Sequence, residues 1–327
     1  MRFPTRFKRL MLVLLGGMVT LYLLNASFGA HPLAAGPMLA AHRGLAQDFD
    51  RTGLNNDTCT AAKMLPTPHT HLENTIPSMA AAFDYGADWV ELDIHPTTDG
   101  HFAVFHDWTV DCRTEGTGVT REQTLAELQS LDIGYGYTAD GGKTYPFRGQ
   151  GVGLMPSLAE VFATFPRQNL ILNIKSNDPH EGELLADRLA SLPPQRQQQI
   201  MVYGGERPVH IVRERLPLIR TLWIRQLKQC LVRYALLGWT NYVPKVCDRS
   251  MLLIPVNYAP WLWGWPNRFL QRMATHNTQI FLVDDYQGEG FSQGLDDLAQ
   301  IVQLPKHYAG GIWTDHIERI GPALGTR

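Results

Sequence analysis

Trp89-Val-Glu-Leu-Asp-Ile-His95 is the stretch of sequence that decides the fold, because apolar and polar residues alternate along it. Side chains alternate between the two faces of a strand, so the three aliphatic residues share one face and Glu91, Asp93 and His95 share the other. Two carboxylates that point together into a protein interior stay ionised only beside a cation. The stretch therefore predicts a buried strand with a cation-binding face. A solvated edge strand with outward acids is the alternative.

Outward from this strand, short strand-like segments alternate with helix-like segments, which predicts a parallel sheet. We predict one (β/α)8 TIM barrel over residues 36–327, and an open doubly wound sheet is the alternative. Nine strand candidates are present, so one lies outside the barrel; they are 38–41, 89–95, 102–106, 169–175, 200–203, 219–224, 252–256, 279–283 and 311–314. The predicted helices are 76–85, 121–131, 157–165, 181–191, 208–215, 267–276 and 295–301.

The first thirty residues form a separate segment, in which Arg2, Arg6, Lys8 and Arg9 precede fifteen uncharged residues, 10–24. A basic start followed by a short apolar run is typical of an export signal. We predict that residues 1–30 are a signal peptide or a signal anchor and that the remainder lies in the periplasm or another extracytoplasmic space. Small residues at 27 and 29 would permit cleavage, whereas retention would leave residues 10–26 in the inner membrane. A buried N-terminal helix is the alternative.

The overall charge and the cysteines agree with export. The net charge of −2 gives no electrostatic basis for binding nucleic acid. The cysteines, an even number, all follow the apolar segment, which indicates two disulfides in an oxidising compartment; they are Cys59, Cys112, Cys230 and Cys247. Three pairings are available, and we favour 59–112 with 230–247 because the latter two are close in sequence and lie outside the polar motifs. Free buried thiols are the alternative.

Further polar residues end predicted strands, where the active sites of barrels gather. His42 and Arg43 follow the first strand, His106 closes the strand after Asp99-Gly100, and Lys175 ends another. Two histidines can supply a base and an acid near neutral pH, and arginine and lysine suit phosphate oxygens. Each histidine alone is more often structural, and the lysine alone would suit a barrel rim. Their placement together with the two carboxylates predicts an active site.

An ordered set of motifs resembles the glycerophosphodiester phosphodiesterase family over residues 40–318. The set is His42-Arg-Gly, Glu73-Asn-Thr, Gly86-Ala-Asp leading into Glu91-Leu-Asp, Asp99-Gly, His106-Asp, Pro156-Ser-Leu-Ala-Glu, Asn173-Ile-Lys and Gly311-Ile-Trp-Thr-Asp. The resemblance implies a (β/α)8 barrel, a divalent metal and hydrolysis of glycerophosphodiesters to an alcohol and sn-glycerol 3-phosphate. It also implies that Glu91 and Asp93 bind the metal, that His42 and His106 are the acid–base pair, and that Glu73 lies beside the site.

Three departures from the family pattern bear on this expectation. Asn173 replaces the glutamate that would be a third metal ligand, so Ca²⁺ or Mg²⁺ would be held with one charge fewer. The loop from Leu45 to Leu72 is long, and a disulfide from Cys59 to Cys112 would pin it over the mouth and narrow substrate choice. The aromatic segment 258–265 would suit a membrane interface or a lipid-binding lip, with an ordinary packed loop as the alternative.

The expected reaction is hydrolysis of a small-molecule or lysolipid phosphodiester, with Arg43 and Lys175 neutralising phosphate oxygens. We expect His42 to be the base and His106 the acid, with water or a substrate hydroxyl as the nucleophile. One rival is a lysophospholipase D or sphingomyelinase-D-like enzyme that acts on a lipid. The other is a non-catalytic phosphodiester-binding protein, which Asn173 favours because the substitution weakens the metal site.

Overall fold

The computed structural model describes residues 5–31, 36–54, 58–288 and 293–325. Its strands are β1 Met38–Ala41, β2 Trp89–Pro96, β3 Phe102–Val104, β4 Asn169–Ile174, β5 Ile200–Gly204, β6 Arg220–Leu222, β7 Met251–Pro255, β8 Gln279–Val283 and β9 Gly311–Thr314. Eight of them form a parallel sheet in the order β6-β5-β4-β2-β1-β9-β8-β7. A parallel bridge between Thr221 and Ser250 joins the two outer strands, so the sheet is a nearly closed barrel, as predicted.

The ninth strand, β3, pairs antiparallel with β2 outside the barrel order. The sequence prediction extended this strand to residue 106, but β3 ends at Val104, so His106 follows a hairpin rather than a barrel strand. Within β2 the predicted alternation holds: every residue from Trp89 to His95 is buried, and Glu91 and Asp93 have no exposed surface. The solvated edge strand is therefore excluded.

Helices follow or flank the barrel strands, and several begin at polar caps read from the sequence. They are α1 Thr5–Asn25, α2 Ile76–Asp84, α3 Leu125–Ser130, α4 Leu158–Thr164, α5 Pro179–Ala190, α6 Pro194–Gln198, α7 Glu206–Arg215, α8 Ile224–Leu237, α9 Asn267–Thr275, α10 Leu298–Val302 and α11 Ile317–Leu324. Thr75 caps α2 by accepting from the Ser78 amide, and Ser157 forms a capping box with Glu160 at α4.

The long helix α8 was missed from the sequence, which gave residues 219–224 to a strand and left the rest of α8 unassigned. Its inward face buries Cys230 and Tyr234, but Val232, Leu236 and Leu237 are exposed. Apolar residues therefore lie on both faces, which hides the one-sided period that identifies an amphipathic helix.

Both favoured disulfides are present. Cys59–Cys112 and Cys230–Cys247 have S–S distances of 2.06 and 2.10 Å, which excludes free buried thiols at these positions. The first bond ties the loop after β1 to the segment after β3, and the second ties α8 to the turn before β7.

Helix α1 is apolar and lies outside the barrel. Residues Arg6–Asn25 are long and apolar enough to cross a membrane, and none of this segment is buried. The alternative of a buried N-terminal helix is therefore excluded.

Candidate active site

The His42-Arg43-Gly44 motif forms a tight turn at the carboxyl end of β1. The His42 amide donates to the Thr314 carbonyl at 3.0 Å, and both Arg43 and Gly44 have positive φ, 60° and 76°. A Cβ atom at Gly44 would lie 2.3 Å from the Ser78 hydroxyl oxygen, so only glycine fits there. The turn aims the Arg43 amide at Glu91 Oε2, 3.1 Å away.

Glu91 and Asp93 point into the barrel from β2, as the alternation predicts, and their protonation differs. Burial and the negative charge of Asp93 raise the pKa of Glu91 to about 7, and Tyr203 donates to Glu91 Oε1 at 2.7 Å. Burial opposes ionisation of Asp93, but the charges of Lys175 and Arg43 outweigh burial and hold its pKa well below the usual range. Nearby cations therefore outweigh burial at Asp93, whereas at Glu91 burial and the charge of Asp93 outweigh the nearby cations.

Strand β4 places Asn173 and Lys175 against Asp93. Asn173 and Asp93 are in register, and the Asn173 amide nitrogen donates to Asp93 Oδ1 at 2.8 Å. Lys175 Nζ lies 3.4 Å from the same oxygen, and Arg43 Nε lies 3.2 Å from Oδ2. Asn74, from the Glu-Asn-Thr motif, exchanges two hydrogen bonds with Asp93, one with its carboxylate and one with its amide.

His42 is held by an aspartate at the end of β9. Its Nδ1 lies 2.5 Å from Asp315 Oδ1, and its Nε2 lies 3.8 Å from Glu91 Oε2. Burial and Arg43 lower the pKa of His42, but the charges of Glu91 and Asp315 outweigh them and leave the pKa above 6.5. His42 is thus surrounded by carboxylates that favour the imidazolium.

His106 has an equivalent partner, but its pKa is shifted in the opposite direction. Its Nδ1 lies 2.6 Å from Asp107 Oδ1, while Arg113 Nε donates to Asp107 Oδ2 at 2.8 Å. Burial and the charge of Arg43 lower the pKa of His106 to about 4. His106 is therefore neutral at neutral pH.

Glu73 lies next to the site but is occupied by arginines. Its Oε1 is 3.1 Å from Arg43 and 3.3 Å from Arg113, and their charges outweigh burial to lower its pKa. Glu73 thus links the two arginines, and in this arrangement it does not supply the missing charge at Asn173.

The pinned loop forms one wall of a cavity beside His42 and Arg43. The cavity has a volume of about 600 Å³ and is lined by His42, Arg43, Ala46, Gln47, Asp48, Phe49, Arg51, Thr52, Gly53, Leu54, Glu73, Gln293, Asp315 and His316. Arg113 donates to Thr60, next to Cys59, so the disulfide and the His106 partners form one connected structure.

Several residues around the site were not assigned roles from the sequence. Asp107 and Asp315 were named only as parts of the family motifs. Both directly follow predicted strands, so the rule that selected the two histidines, a polar residue at a strand end, would have selected them as well. Tyr203 ends the strand predicted at 200–203, so the strand-end rule would also have selected it. Arg113 carries no local signal, because it lies outside the strands and meets Glu73 only through tertiary packing. Among the described residues, no group of three His, Cys, Asp or Glu side chains is arranged to hold a metal ion.

Residues 42–189 match the Glycerophosphoryl diester phosphodiesterase family, which confirms the resemblance. A glycerophosphodiester phosphodiesterase of Caldanaerobacter subterraneus subsp. tengcongensis is 40% identical over 103 residues, which are 32% of this chain and 39% of that protein. One of Bacillus subtilis is 37% identical over 114 residues, which are 34% of this chain and 38% of that protein. The chain thus spans about two fifths of the length of these relatives.

Solved structures share the fold over most of the chain. The glycerophosphoryl diester phosphodiesterase domain of a Mycobacterium tuberculosis protein aligns with a TM-score of 0.61 at 14% identity, covering 88% of this chain and 99% of that one. An Oleispira antarctica phosphodiesterase, solved with the product sn-glycerol-3-phosphate, aligns with a TM-score of 0.53 at 18% identity, covering 88% and 96%. At these identities the likeness establishes the barrel fold.

Proposed function

We propose that this chain, whose residues 42–189 match the glycerophosphoryl diester phosphodiesterase family, hydrolyses glycerophosphodiesters to an alcohol and sn-glycerol 3-phosphate with a divalent metal ion. The observation that carries the proposal is the placement of two histidines, each with an aspartate on Nδ1, around one buried carboxylate pair. The product bound to the Oleispira antarctica protein supports the substrate class.

In the proposed reaction His106 is the base and His42 the acid, the reverse of the expectation from sequence. The neutral imidazole of His106 accepts a proton from the nucleophile, water or a substrate hydroxyl. The imidazolium of His42 protonates the leaving alkoxide, and Asp315 stabilises it in that form. Arg43 and Lys175 lie beside Asp93, close enough to the carboxylate pair to bind phosphate oxygens there.

The donor set fits Ca²⁺ or Mg²⁺, with one charge fewer than three carboxylates would give. Glu91, Asp93 and Asn173 would hold the ion, since the raised pKa of Glu91 marks a buried carboxylate whose charge the nearby His42 and Arg43 do not fully balance. The amide nitrogen of Asn173 donates to Asp93, so its amide oxygen would be the third ligand. The bound ion would supply positive charge to the phosphodiester oxygens.

We also propose that residues 1–30 are a signal peptide or anchor, that residues 36–327 form one catalytic domain, and that this domain is exported to the periplasm. Helix α1 supports a membrane segment, and the two disulfides support an oxidising compartment.

Hydrolysis of glycerophosphocholine and lysophosphatidylcholine, each with Ca²⁺, Mg²⁺ or chelator, tests the function. We expect metal-dependent release of sn-glycerol 3-phosphate from glycerophosphocholine. Preference for lysophosphatidylcholine would establish the lipid-acting rival, and binding without hydrolysis under every metal condition would establish the binding protein, which the weak ligand Asn173 favours.

The metal site has its own test in Asn173→Glu, which restores a third carboxylate. Calcium binding measured by calorimetry should tighten by about tenfold or more, because ligand charge sets affinity in such sites. Asn169→Glu, at the opposite end of the same strand, is the matched control. Unchanged affinity in Asn173→Glu would show that residue 173 is not a ligand.

A further inference from the structure

Helix α1 leaves the barrel in a fixed direction. Arg272 of α9, only 5% exposed, donates to the Leu24 carbonyl and to Asn25 Oδ1, each at 3.1 Å. Asn25 in turn donates to the Trp239 carbonyl at 3.0 Å. The last turn of α1 is therefore bonded to two separate elements of the barrel.

The chain after α1 stays bonded to the same helix. Ser27 accepts from the Asn267 amide at 2.8 Å, and Gln271 donates to the His31 carbonyl at 2.8 Å. Because residues 24–31 follow α9 closely, the barrel has a defined orientation relative to α1, and hence to any bilayer that α1 enters.

Exposed apolar side chains lie on α8 and on the turn after it, which includes Trp239, the residue that Asn25 at the end of α1 contacts. We call them the exit patch: Val232, Leu236, Leu237, Trp239 and Tyr242, which are 60%, 67%, 43%, 45% and 50% exposed. Single exposed apolar residues are ordinary, but these five fall within eleven residues of the chain, in the last two turns of α8 and the turn after it, and an exposed apolar patch marks an interaction site. The Cys230–Cys247 disulfide holds this part of α8 in place.

The charge on α8 identifies a partner for the patch. The helix contains Arg225, Lys228 and Arg233 and no acidic residue, in a chain whose net charge is −2. Positions 228, 232 and 236 lie on one stripe, so along it a lysine is followed by two apolar side chains toward the end of α8 that lies beside α1. Basic residues followed by Leu and Trp are typical of helices at the interface of a bilayer with anionic lipids.

A groove next to the patch suits the same partner. It has a volume of about 320 Å³, lies between α1 and Trp263, and is lined by Met18, Leu21, Tyr22, Asn25, Ala26 and Trp263. This mostly apolar lining matches an acyl chain.

The exit patch is at the far end of the barrel from the active site. Residues 238–250 lead into the amino end of β7, and residues 26–37 lead into the amino end of β1. His42, Arg43 and Lys175 lie at or just beyond the carboxyl ends of their strands. A barrel that rests on its exit patch therefore turns its mouth away from the surface.

We propose that the exit patch docks on the bilayer that α1 enters, with Lys228 and Arg233 among anionic lipid headgroups and Leu236 and Trp239 at the acyl boundary. The active site then opens to the aqueous phase. This inference rests on the proposed function. In this orientation the substrates of the enzyme are water-soluble glycerophosphodiesters rather than lysolipids of the same bilayer.

The test uses the full chain in nanodiscs of phosphatidylcholine with phosphatidylglycerol, with acyl-brominated lipids as quenchers of tryptophan fluorescence. Trp239→Phe should lose part of the bromolipid quenching, whereas Trp223→Phe, at the other end of α8, should lose none. Equal quenching losses in the two variants would overturn the docking.

A second variant tests the contact between the exit patch and the bilayer while keeping Trp239, the fluorescent residue. Leu236→Glu should lower the quenching that depends on Trp239, with an unchanged circular dichroism spectrum and unchanged hydrolysis of glycerophosphocholine. Unaltered quenching in Leu236→Glu would contradict the proposal. Because hydrolysis is measured separately from quenching, failure of the docking and failure of the proposed function give different results.

Discussion

His42 and His106 have the same kind of partner, but their pKa values are shifted in opposite directions. Each has an aspartate on Nδ1, Asp315 at 2.5 Å and Asp107 at 2.6 Å. Each aspartate also pairs with an arginine, Asp107 with Arg113 and Asp315 with Arg51. The difference comes from other groups: Glu91 adds a second negative charge near His42, whereas burial and the charges of Arg43 and Lys175 lower the pKa of His106. The comparison shows that a histidine–aspartate pair does not fix protonation by itself; the charges beyond the pair do.

Removing either histidine should give the largest effect and reveal the difference between them. His106→Ala and His42→Ala should each lower kcat for glycerophosphocholine by about 10²–10⁴. A p-nitrophenyl phosphodiester needs no acid for its leaving group, so it should restore turnover in His42→Ala and not in His106→Ala. Steady-state kinetics on both substrates provide the measurement.

The control is His180→Ala, because His180 is exposed on α5 and its side chain pairs with the exposed Glu183. It should retain wild-type kinetics. Rescue of His106→Ala instead of His42→Ala would reverse the assignment of base and acid.

The pH dependence of activity is a second way to tell the two histidines apart, and its expected effect is smaller. A base must be neutral, so activity should fall as pH drops through the pKa of His106, about 4. An acid must be protonated, so activity should fall as pH rises through the pKa of His42, which lies above 6.5. Asp315→Asn removes a charge that raises the His42 pKa. The decline of activity at high pH, which we call the upper limb of the profile, should therefore shift to lower pH by about 1 unit.

The matched variant is Asp107→Asn. It should shift only the decline of activity at low pH, the lower limb of the profile, and should shift it to lower pH, because Asp107 raises the pKa of His106. Both profiles come from kcat/KM across the pH range. An upper limb that moves in Asp107→Asn and stays in Asp315→Asn would exchange the two histidines.

Much of the barrel could be predicted from the sequence because its signals are local. Alternation identified β2, and Thr75 and Ser157 marked the starts of helices through side chains that cap the next turn. The error at His106 has a local cause as well: β3 turns back on β2, and the sequence after Asp99-Gly100 does not show where a hairpin stops pairing.

The site was predictable only where its residues lie at strand ends or alternate within a strand. His42 and Lys175 come from strand ends, Glu91 and Asp93 come from the alternation within β2, and the structure brings the four together. The protonation of the histidines was not predictable, since it depends on Arg43, Arg113 and Glu91 meeting from distant parts of the chain. The expectation that His42 is the base was made without these non-local charges, and the kinetic comparison of the two histidine variants tests it.

The smallest effect on activity should come from the Cys59–Cys112 disulfide, which supports Arg113 through Thr60. In the double variant Cys59→Ser, Cys112→Ser, Arg113 should hold Asp107 less firmly. The charge of Asp107, less neutralised by Arg113, then raises the pKa of His106. The lower limb of the pH profile should therefore shift to higher pH, while kcat falls only a few fold. Kinetics from pH 3 to 7 measure both effects.

Cys230→Ser with Cys247→Ser is the comparison that isolates this effect. The two bonds close segments with sequence separations of 53 and 17 residues. Chain entropy predicts losses of unfolding free energy of roughly 4 and roughly 3 kcal/mol, so both variants are destabilised to a similar extent. Only the first pair is connected to Asp107. If the lower limb moves equally in both variants, general loosening of the barrel explains the shift, and the Arg113–Asp107 contact does not keep His106 neutral.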